Sequence, residues 1–264
     1  MSKKLGLALG AGGSRGVAHI GFLQALEEVE IRPDYVTGCS MGSIVGACYC
    51  AGATPAQMKE AVVGLNLSDL AALNIAPFRQ NGLMKMTKAR KRMAELIGEK
   101  NFEELGIPFA CVATDLIEGK TVVLDEGNVI DAALASSTIP GAFTPAAFGE
   151  HKMLIDGGIL ERVPTKELKS MGAEVIVAVD VLGDLAEQKD ASGHLINTLL
   201  RVIDIMDTRN TMNKRRARMR YVDLYLEPEL GAMDQYQVKN LNFAYDKGYE
   251  LGVKYRDKIK ELIR

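Results

Sequence analysis

The sequence predicts an α/β protein in which helices cover both faces of a mostly parallel β-sheet. Two observations lead to this fold class. Short apolar segments typical of buried strands alternate with longer segments whose apolar residues have helical spacing. The 264 residues are 47% hydrophobic and 25% charged, and they contain no repeat, low-complexity tract or linker that would divide the chain. We therefore expect residues 1–264 to form a single domain.

Strand and helix segments follow one another along the whole chain. The sequence predicts strands at residues 4–9, 35–37, 109–114, 121–124, 153–155, 174–181 and 221–226. It predicts helices at residues 17–29, 40–51, 55–65, 87–97 and 128–136, from about 190 to 219, and from about 235 onward. This alternation is typical of parallel strands joined by covering helices.

The overall charge argues against a function that needs a strongly basic surface. Lys and Arg together number 32 and Asp and Glu number 34, which gives a formal net charge of -2. No global basic field is therefore available to hold a nucleic-acid backbone. We do not expect a nucleic-acid partner.

The cysteines and the N-terminus bear on the cellular compartment. The four cysteines are Cys39, Cys48, Cys50 and Cys111. They show no CxxC pair and no histidine-rich neighbourhood, which argues against structural zinc and favours a reducing, cytoplasmic compartment. The N-terminal segment reaches glycines too soon for a signal peptide, so we expect the mature chain to start at Met1.

Residues 35–58 carry no formal charge, and roughly 20 apolar residues suffice to cross a bilayer. Glycines, serines, threonines and a proline interrupt the segment. A buried strand followed by a buried helix explains the missing charges equally well. We expect that arrangement and not a membrane span.

The sequence Gly38-Cys-Ser-Met-Gly42 has the G-x-S-x-G pattern of a nucleophile elbow. It lies between a predicted strand and a predicted helix, which is the context that this turn requires. Small residues are needed two positions on either side of Ser40, because a Cβ there would collide where strand and helix converge. The helix N-terminus also directs free N–H groups at the charge that develops in acyl transfer. Ser40 is therefore a candidate nucleophile.

A glycine-rich loop at residues 10–16 precedes the elbow by about one strand-helix-strand unit. Consecutive glycines expose backbone N–H groups, and such a nest at the start of a helix can hold an oxyanion or a phosphate. The G-x-G-x-x-G dinucleotide pattern fails here, because its last glycine position is Arg15. We expect the loop and the elbow at the same edge of the sheet.

The residues alone leave the base for Ser40 open. The chain has three histidines, at His19, His151 and His194. None lies in a motif, and each is more readily explained as a surface or structural histidine. Asp156 ends a short apolar segment and precedes Gly157 and Gly158, which allow close approach of backbone or substrate. A turn-forming Asp-Gly pair explains the same residues, so composition does not select Asp156.

Four motifs, taken in order, resemble those of the patatin-like phospholipases. They are Ala11-Gly-Gly-Ser-Arg-Gly16, Gly38-Cys-Ser-Met-Gly42, Ala135-Ser-Ser-Thr-Ile-Pro-Gly141 and Asp156-Gly-Gly158. The resemblance covers about residues 5–181. The chain is similar to bacterial relatives of the neuropathy target esterase catalytic domain. It implies a three-layer patatin-like fold with a central mostly parallel sheet, on which residues 190–264 pack as a C-terminal extension.

The resemblance also implies a Ser-Asp dyad without a catalytic histidine, with Ser40 as nucleophile and Asp156 as base. The implied oxyanion hole lies in the glycine loop, at Gly12, Gly13, Ser14 and Arg15, where Arg15 holds the loop or assists with charge. The implied elbow and motif glycines are Gly38, Gly42, Gly157 and Gly158. A carboxylate of ordinary acidity implies no obligatory ionisation near ~6.5, the unperturbed histidine value.

The activity that the resemblance implies is hydrolysis of acyl esters of phospholipids or lysophospholipids. No metal or organic cofactor is implied. The expected partner is a lipid or acyl-ester substrate, with peripheral contact to a membrane.

Other functions stay open at this point. An α/β-hydrolase uses serine, acid and histidine in that chain order, which Ser40, then Asp115 or Asp131, then His151 or His194 supply. A related acyl-carrier transacylase pairs its elbow serine with histidine. In a different class, the glycine loop binds a nucleotide and the chain is a regulatory protein.

Two cationic clusters are candidates for contact with anionic lipid head groups. The first follows the apolar residues 65–86, and the second lies near the end of the long predicted helix. Their members are Lys85, Lys88, Arg90, Lys91 and Arg92, and Lys214, Arg215, Arg216, Arg218 and Arg220. The simpler interpretation, which we prefer, is a core-packing connection and two solvated helix faces with few nearby acids.

Overall fold

The structure is a computed structural model that describes residues 2–62, 72–73, 82–183 and 195–264. Its strands are β1 (Leu5–Leu9), β2 (Tyr35–Cys39), β3 (Ala72–Leu73), β4 (Gly82–Lys85), β5 (Phe109–Asp115), β6 (Lys120–Leu124), β7 (Gly141–Phe143), β8 (Ala146–Phe148), β9 (His151–Asp156), β10 (Val175–Val179) and β11 (Leu224–Leu226). Its α-helices are α1 (Ala18–Glu27), α2 (Met41–Cys50), α3 (Pro55–Val62), α4 (Thr87–Ile97), α5 (Val129–Ala135), α6 (Thr165–Met171), α7 (Leu195–Arg218) and α8 (Leu241–Leu262).

The central sheet has the strand order β11-β10-β1-β2-β5-β9-β8, and β6 pairs with β5 beside this path. Strands β11, β10, β1, β2 and β5 pair in parallel, whereas β6, β9 and β8 pair antiparallel. A small second sheet contains β3, β4 and β7. The predicted α/β class with a mostly parallel central sheet is confirmed.

The side chains of β1 alternate between two apolar layers. Leu5, Leu7 and Leu9 belong to the larger core, which also contains buried residues of α1, α2 and α8. Ala8 belongs to a smaller core on the other face, together with Leu168 of α6. Because successive side chains of a strand point to opposite faces, the sheet separates two helical layers. This is the predicted three-layer arrangement.

Two strands that run in opposite directions share one edge of β5. β2 pairs with β5 as far as Cys39, which lies opposite Val112. β9 pairs with the following residues, so that Asp156 lies opposite Ala113. At Val112 and Ala113 the other edge of β5 is occupied by β6. The carboxyl ends of β2 and β9 therefore meet beside β5.

Five short elements have no counterpart in the sequence prediction: β3, β4, β7, β8 and α6. Strands of two to four residues are too short to show a period-2 pattern. Helix α6 has seven residues and buries only Thr165 and Leu168, so its apolar face is too small to recognise.

The last helix begins at Leu241 and not near residue 235. The residues before it form turns that contact the glycine loop. The Ser14 N–H donates to the Gln235 carbonyl at 3.0 Å, and the Arg15 side chain donates to the Met233 carbonyl at 3.2 Å. These tertiary contacts override the local helical pattern.

The C-terminal elements contact the rest of the fold directly. β11 pairs with β10, and α8 packs along α1. That one domain spans the whole chain stays a prediction. His194 and most of the apolar residues 65–86 lie outside the described residues.

The uncharged residues 35–58 form β2, the buried helix α2 and the start of α3. The prediction of a buried strand followed by a buried helix is therefore confirmed. In the described part of the chain, no helix combines the length and apolar content needed to cross a membrane.

Gly42→Ala should destabilise the fold, because α2 begins against the end of β1. A Cβ on Gly42 would lie 2.1 Å from the Leu9 carbonyl oxygen and 2.6 Å from that of Gly10. Both neighbours are backbone atoms, so strand and helix must move apart, and we expect a loss of about 3 kcal/mol in the free energy of unfolding.

Gly106→Ala is the matched control, since the nearest atom to its Cβ would be the Cys50 carbonyl oxygen at 3.7 Å. Urea titrations should show a change below about 0.5 kcal/mol for this variant. Equal stabilities of the two variants would show that strand and helix do not converge at Gly42.

Candidate active site

The hydroxyl of Ser40 and the carboxylate of Asp156 meet where β2 and β9 abut. Ser40 directly follows β2 and begins the turn into α2. Its Oγ donates a hydrogen bond to Asp156 Oδ2 at 2.6 Å. Both residues are buried, with 6% and 8% of their surfaces exposed. The structure thus places the two candidate catalytic residues in direct contact.

Ser40 adopts a backbone conformation that is uncommon for a residue with a side chain. Its φ of 53° lies in the left-handed region, which costs about 1–3 kcal/mol unless the surroundings enforce it. The Ser40 carbonyl accepts hydrogen bonds from the Ser43 N–H at 2.8 Å and from the Ser43 hydroxyl at 2.6 Å. A Cβ on Gly38 would lie 2.5 Å from Ser43 Cα, so the glycine lets the turn close. This sharp strand-to-helix turn is the local structure of a nucleophile elbow.

The segment of residues 136–138 ties the elbow to the end of β9. The Ser136 hydroxyl accepts a hydrogen bond from the Ser40 N–H at 3.0 Å and donates to the Val112 carbonyl at 2.6 Å. The Asp156 N–H donates to the Thr138 carbonyl at 2.8 Å. One short segment therefore fixes the backbone of both Ser40 and Asp156, a role that the sequence analysis did not assign to Ser136.

Burial raises the pKa of Asp156 to about 6. Hydrogen bonds from the Ser40 hydroxyl and from the Gly158 N–H, 2.8 Å from Oδ1, oppose this rise in pKa. Such a carboxylate is ionised at neutral pH and is a better proton acceptor than an exposed aspartate. Contrary to the expectation from unperturbed pKa values, an ionisation near neutrality does not distinguish a carboxylate base from an imidazole.

The four N–H groups of the predicted oxyanion hole, at residues 12–15, divide into two pairs. The Ser14 N–H donates to the Gln235 carbonyl and the Arg15 N–H donates to the Gly12 carbonyl, both at 3.0 Å. Within the described residues, the N–H groups of Gly12 and Gly13 make no backbone hydrogen bond. Gly12 and Gly13 also line the cleft above the site. These two N–H groups are therefore the loop donors available to a ligand.

The Arg15 side chain anchors the loop to neighbouring backbone segments. Its Nε donates to the Val181 carbonyl at 2.7 Å, and its Nη1 donates to the carbonyls of Gly231 and Met233 at 3.4 and 3.2 Å. The side chain is buried, and burial lowers its pKa. The hydrogen bonds from Arg15 to these main-chain carbonyls thus join the loop to the C-terminal half of the chain.

A cleft of about 470 Å³ opens over Ser40 and Asp156. The first 160 residues contribute the glycine loop and the apolar residues Ile139, Pro140 and Ile159. The C-terminal half contributes Leu182, Ile203, Asp204, Asp207, Gln235 and Tyr236. The cleft is therefore completed by the region that the sequence analysis treated as an extension.

Two further carboxylates reach the cleft from α7. Asp207 accepts a hydrogen bond from Arg162 at 3.0 Å, and Arg162 also contacts Asp180 at 2.7 Å. Asp204 accepts a hydrogen bond from the Tyr236 hydroxyl at 2.5 Å. Burial raises the pKa of Asp207 to about 6, against the effect of Arg162, and also raises that of Asp204. The cleft thus collects acidic groups around the Ser40–Asp156 pair.

Asp204 and Asp207 are not among the site residues predicted from the sequence. The available signal was their i, i+3 spacing, which places both carboxylates on one face of a helix that is otherwise rich in Leu, Ile, Val and Met. Their partners come from distant segments, which a local pattern does not reveal.

The described histidines do not bond to Ser40. His19 is fully buried in α1, its Nε2 lies 2.8 Å from the Gly10 carbonyl oxygen, and burial lowers its pKa to about 4. His151 is the first residue of β9, and its Nδ1 lies 2.8 Å from Asp115 Oδ2. Asp131, the other acid of the alternative triad, pairs with Arg90.

The cationic cluster at the end of α7 has acidic partners, contrary to the expectation. Lys214 and Arg218 bind Glu161, and Arg215 binds Glu227. In the first cluster, Arg90 binds Glu99 and Asp131, and Lys91 lies 3.8 Å from Glu95. The acids were not apparent because most of them are distant in sequence.

Among the described residues, no group of three or more His, Cys, Asp or Glu side chains is arranged to hold a metal ion. The four cysteines are buried and free. That the site works without a cofactor stays a prediction.

Comparison with models of protein families shows the family to which this chain belongs. The model of the patatin-like phospholipases matches residues 7–169, which include Ser40 and Asp156. The chain belongs to the patatin-like phospholipase family. The match ends before α7, so the matched residues do not include Asp204, Asp207 or Tyr236.

Curated relatives of this patatin-like protein are longer chains. An uncharacterised NTE family protein of Mycobacterium bovis is 34% identical over 185 residues, which are 70% of this chain and 51% of the relative. The lysophospholipase NTE1 of Coccidioides immitis is 26% identical over 282 residues, which cover 98% of this chain and 18% of the relative. The chain thus spans about half the length of the mycobacterial relative and a smaller share of the fungal one.

Two solved structures share the patatin-like fold at low identity. VipD from Legionella pneumophila has a TM-score of 0.62 and 14% identity, covering 97% of this chain and 67% of VipD. The type III effector protein ExoU has a TM-score of 0.54 and 12% identity, covering 98% of this chain and 53% of ExoU. These similarities confirm the fold.

Ser136→Ala should lower the stability of the fold, because the Ser136 hydroxyl holds the backbone beside Ser40. The variant leaves the Ser40 N–H and the Val112 carbonyl without their buried partner, and each such loss costs about 1–3 kcal/mol. We expect the free energy of unfolding to fall by about 3 kcal/mol in urea titrations. Ser137→Ala is the matched control, because its hydroxyl donates to the Ala133 carbonyl within the same helical turn. Equal losses in the two variants would contradict the special role of Ser136.

The stability of the protein should depend on pH through Asp156. Its folded pKa is about 6, above the unperturbed value of 3.8. The stabilisation from this group is therefore complete below about pH 4 and is lost as the pH rises through about 6. Relative to Asp156→Asn, the wild type should lose up to about 3 kcal/mol between these limits in urea titrations. Parallel pH profiles of the two proteins would contradict the raised pKa.

Proposed function

We propose that the protein hydrolyses acyl esters of phospholipids or lysophospholipids, with Ser40 as nucleophile and Asp156 as its base. The observation that carries the proposal is the 2.6 Å hydrogen bond from Ser40 Oγ to Asp156 Oδ2 at a strand-to-helix turn. A base within hydrogen-bond distance is what activates a serine. Family membership and the similarity to a fungal lysophospholipase support a lipid ester as substrate.

In the first step, Ser40 Oγ attacks the ester carbonyl carbon and its proton passes to Asp156 Oδ2. The carbonyl oxygen becomes an oxyanion, which the N–H groups of Gly12 and Gly13 bind. We narrow the predicted oxyanion hole to these two residues, because the N–H groups of Ser14 and Arg15 already donate elsewhere.

In the second step, the protonated Asp156 returns its proton to the leaving alcohol as the ester C–O bond breaks. Water then attacks the acyl-Ser40 ester, and Asp156 again accepts a proton. The fatty acid leaves and Ser40 regains its hydrogen. The raised pKa of Asp156 suits both directions of this transfer, since the group is ionised at neutral pH and can still hold a proton briefly.

The distances along β9 weigh against a triad with His151. His151 begins the strand and Asp156 ends it. At about 3.3 Å per residue, the two Cα atoms lie about 16 Å apart. His151 pairs with Asp115 near the far end of the strand and is too distant to serve Ser40.

The proposed setting of this activity is a cytoplasmic one without a metal or organic cofactor. The four free cysteines suit a reducing compartment. The acids of the cleft, Asp204 and Asp207, would repel a phosphate placed beside them, so the phosphodiester of the substrate is expected at the outer rim.

Asp156→Asn should separate the dyad from a triad. The variant keeps the size of the side chain but cannot accept the serine proton, so kcat/KM for a short-chain p-nitrophenyl ester should fall by about two to four orders of magnitude. Ser40→Ala should abolish the reaction. His151→Ala and His194→Ala are the controls and should keep activity within about threefold. Loss of activity in either histidine variant, with Asp156→Asn still active, would replace the proposed mechanism by a histidine-dependent one.

A further inference from the structure

Helix α7 carries its apolar residues on the outside. The exposed large side chains of its outer face are Leu199, Val202, Ile205, Met206 and Met212, with exposed fractions of 37–66%. Their spacing of three, four and seven residues places them on one side of the helix. Met219, just past the end of the helix, is also exposed. This distribution is the reverse of that in an ordinary surface helix.

The inner face of α7 carries the polar residues instead. Asp204 and Asp207 bond to Tyr236 and Arg162 beside the catalytic cleft. Further along, Lys214 reaches Glu161. Since the inner face is held by hydrogen bonds and ion pairs, the apolar outer face does not contribute to the core. Its hydrophobic residues need another reason to be exposed.

The charges on the outer face are all positive. Arg209, Arg216 and Arg220 are exposed, and no ion pair joins them to any described acidic residue. The acidic residues of α7, Asp204 and Asp207, both lie on the inner face. The outer face therefore combines apolar side chains with arginines and lacks carboxylates.

We propose that the outer face of α7 docks on the surface of an anionic phospholipid bilayer. Apolar side chains enter the boundary between head groups and acyl chains, while the arginines contact the lipid phosphates. A second copy of the chain fits this face less well. A twofold pairing of α7 with itself would bring together two faces that both carry arginines and offer no carboxylate to pair with them.

The position of α7 would bring a bound bilayer close to the catalytic cleft. The inner side of the helix lines the cleft through Ile203, Asp204 and Asp207, so a bilayer on its outer side lies one helix diameter, about 10 Å, from the cleft. A lipid that leaves the bilayer therefore has a short path to Ser40. Delivery of a lipid to Ser40 rests on the proposed lipid-ester hydrolysis. Binding of the helix to the bilayer does not depend on that activity.

Vesicle sedimentation tests the surface directly. The experiment uses the full chain with Ser40→Ala, so that lipid is not consumed, and vesicles of phosphatidylcholine with about a third phosphatidylglycerol. We expect binding that weakens at least tenfold in Met206→Glu and in the double variant Arg209→Glu/Arg216→Glu. Binding should also weaken without phosphatidylglycerol and at about 0.5 M salt.

Matched controls lie elsewhere on the surface. Ile117→Glu replaces a residue with 63% exposure, against 66% for Met206, and Arg32→Glu replaces an exposed arginine before β2. Both should bind vesicles as tightly as the parent. In the background with Ser40 intact, every one of these variants should hydrolyse a soluble short-chain ester at the parent rate, which separates a binding defect from a failure of the proposed function.

Three results would overturn the docking proposal. The first is that the parent does not bind the anionic vesicles while it still hydrolyses the soluble ester. The second is that the control variants lose binding as much as the α7 variants. The third is a dimer in sedimentation velocity that Met206→Glu converts to a monomer, because the face would then be covered by a second copy.

Discussion

Strand β5 offers one edge to two strands that approach from opposite directions, and the site depends on their meeting. β2 ends opposite Val112 and β9 ends opposite Ala113, so Ser40 and Asp156 are neighbours although 116 positions separate them in the chain. A parallel strand alone would place a serine at the sheet edge without a partner. The antiparallel β9 supplies a carboxylate from the other direction. This carboxylate bonds directly to the Ser40 hydroxyl, without a histidine between them.

The position of Asp156 between the ends of these strands also explains its raised pKa. Asp156 is buried between strand ends, and burial raises its pKa towards neutrality. The strained backbone of Ser40 persists because the elbow is held by Ser43 within the helix and by Ser136 from a separate segment. In the proposed mechanism, the buried carboxylate and the strained serine reduce the stability of the fold but hold the nucleophile next to its base.

Much of the fold and the central pair could be predicted from the sequence, because their signals are local. The G-x-S-x-G turn marks Ser40, and the alternation of strands and helices predicts the sheet. Asp156 is selected by the resemblance of the four ordered motifs, since its Asp-Gly-Gly segment alone is equally explained as a turn. Asp204 and Tyr236 could not be predicted as cleft residues, since they are brought there by α7 and by turns that contact the glycine loop. Likewise the partner of Arg218, Glu161, lies 57 positions away, so the cationic cluster looked unpaired.

Reaction with a fluorophosphonate, followed by peptide mass mapping, tests the central claim most directly. The reagent modifies a serine whose hydroxyl is activated by a nearby base. The account predicts one covalent adduct, on Ser40, formed much more slowly when Asp156 is asparagine and at the normal rate when His151 or His194 is alanine. An adduct on another residue, or labelling of Ser40 that is indifferent to Asp156, would contradict it.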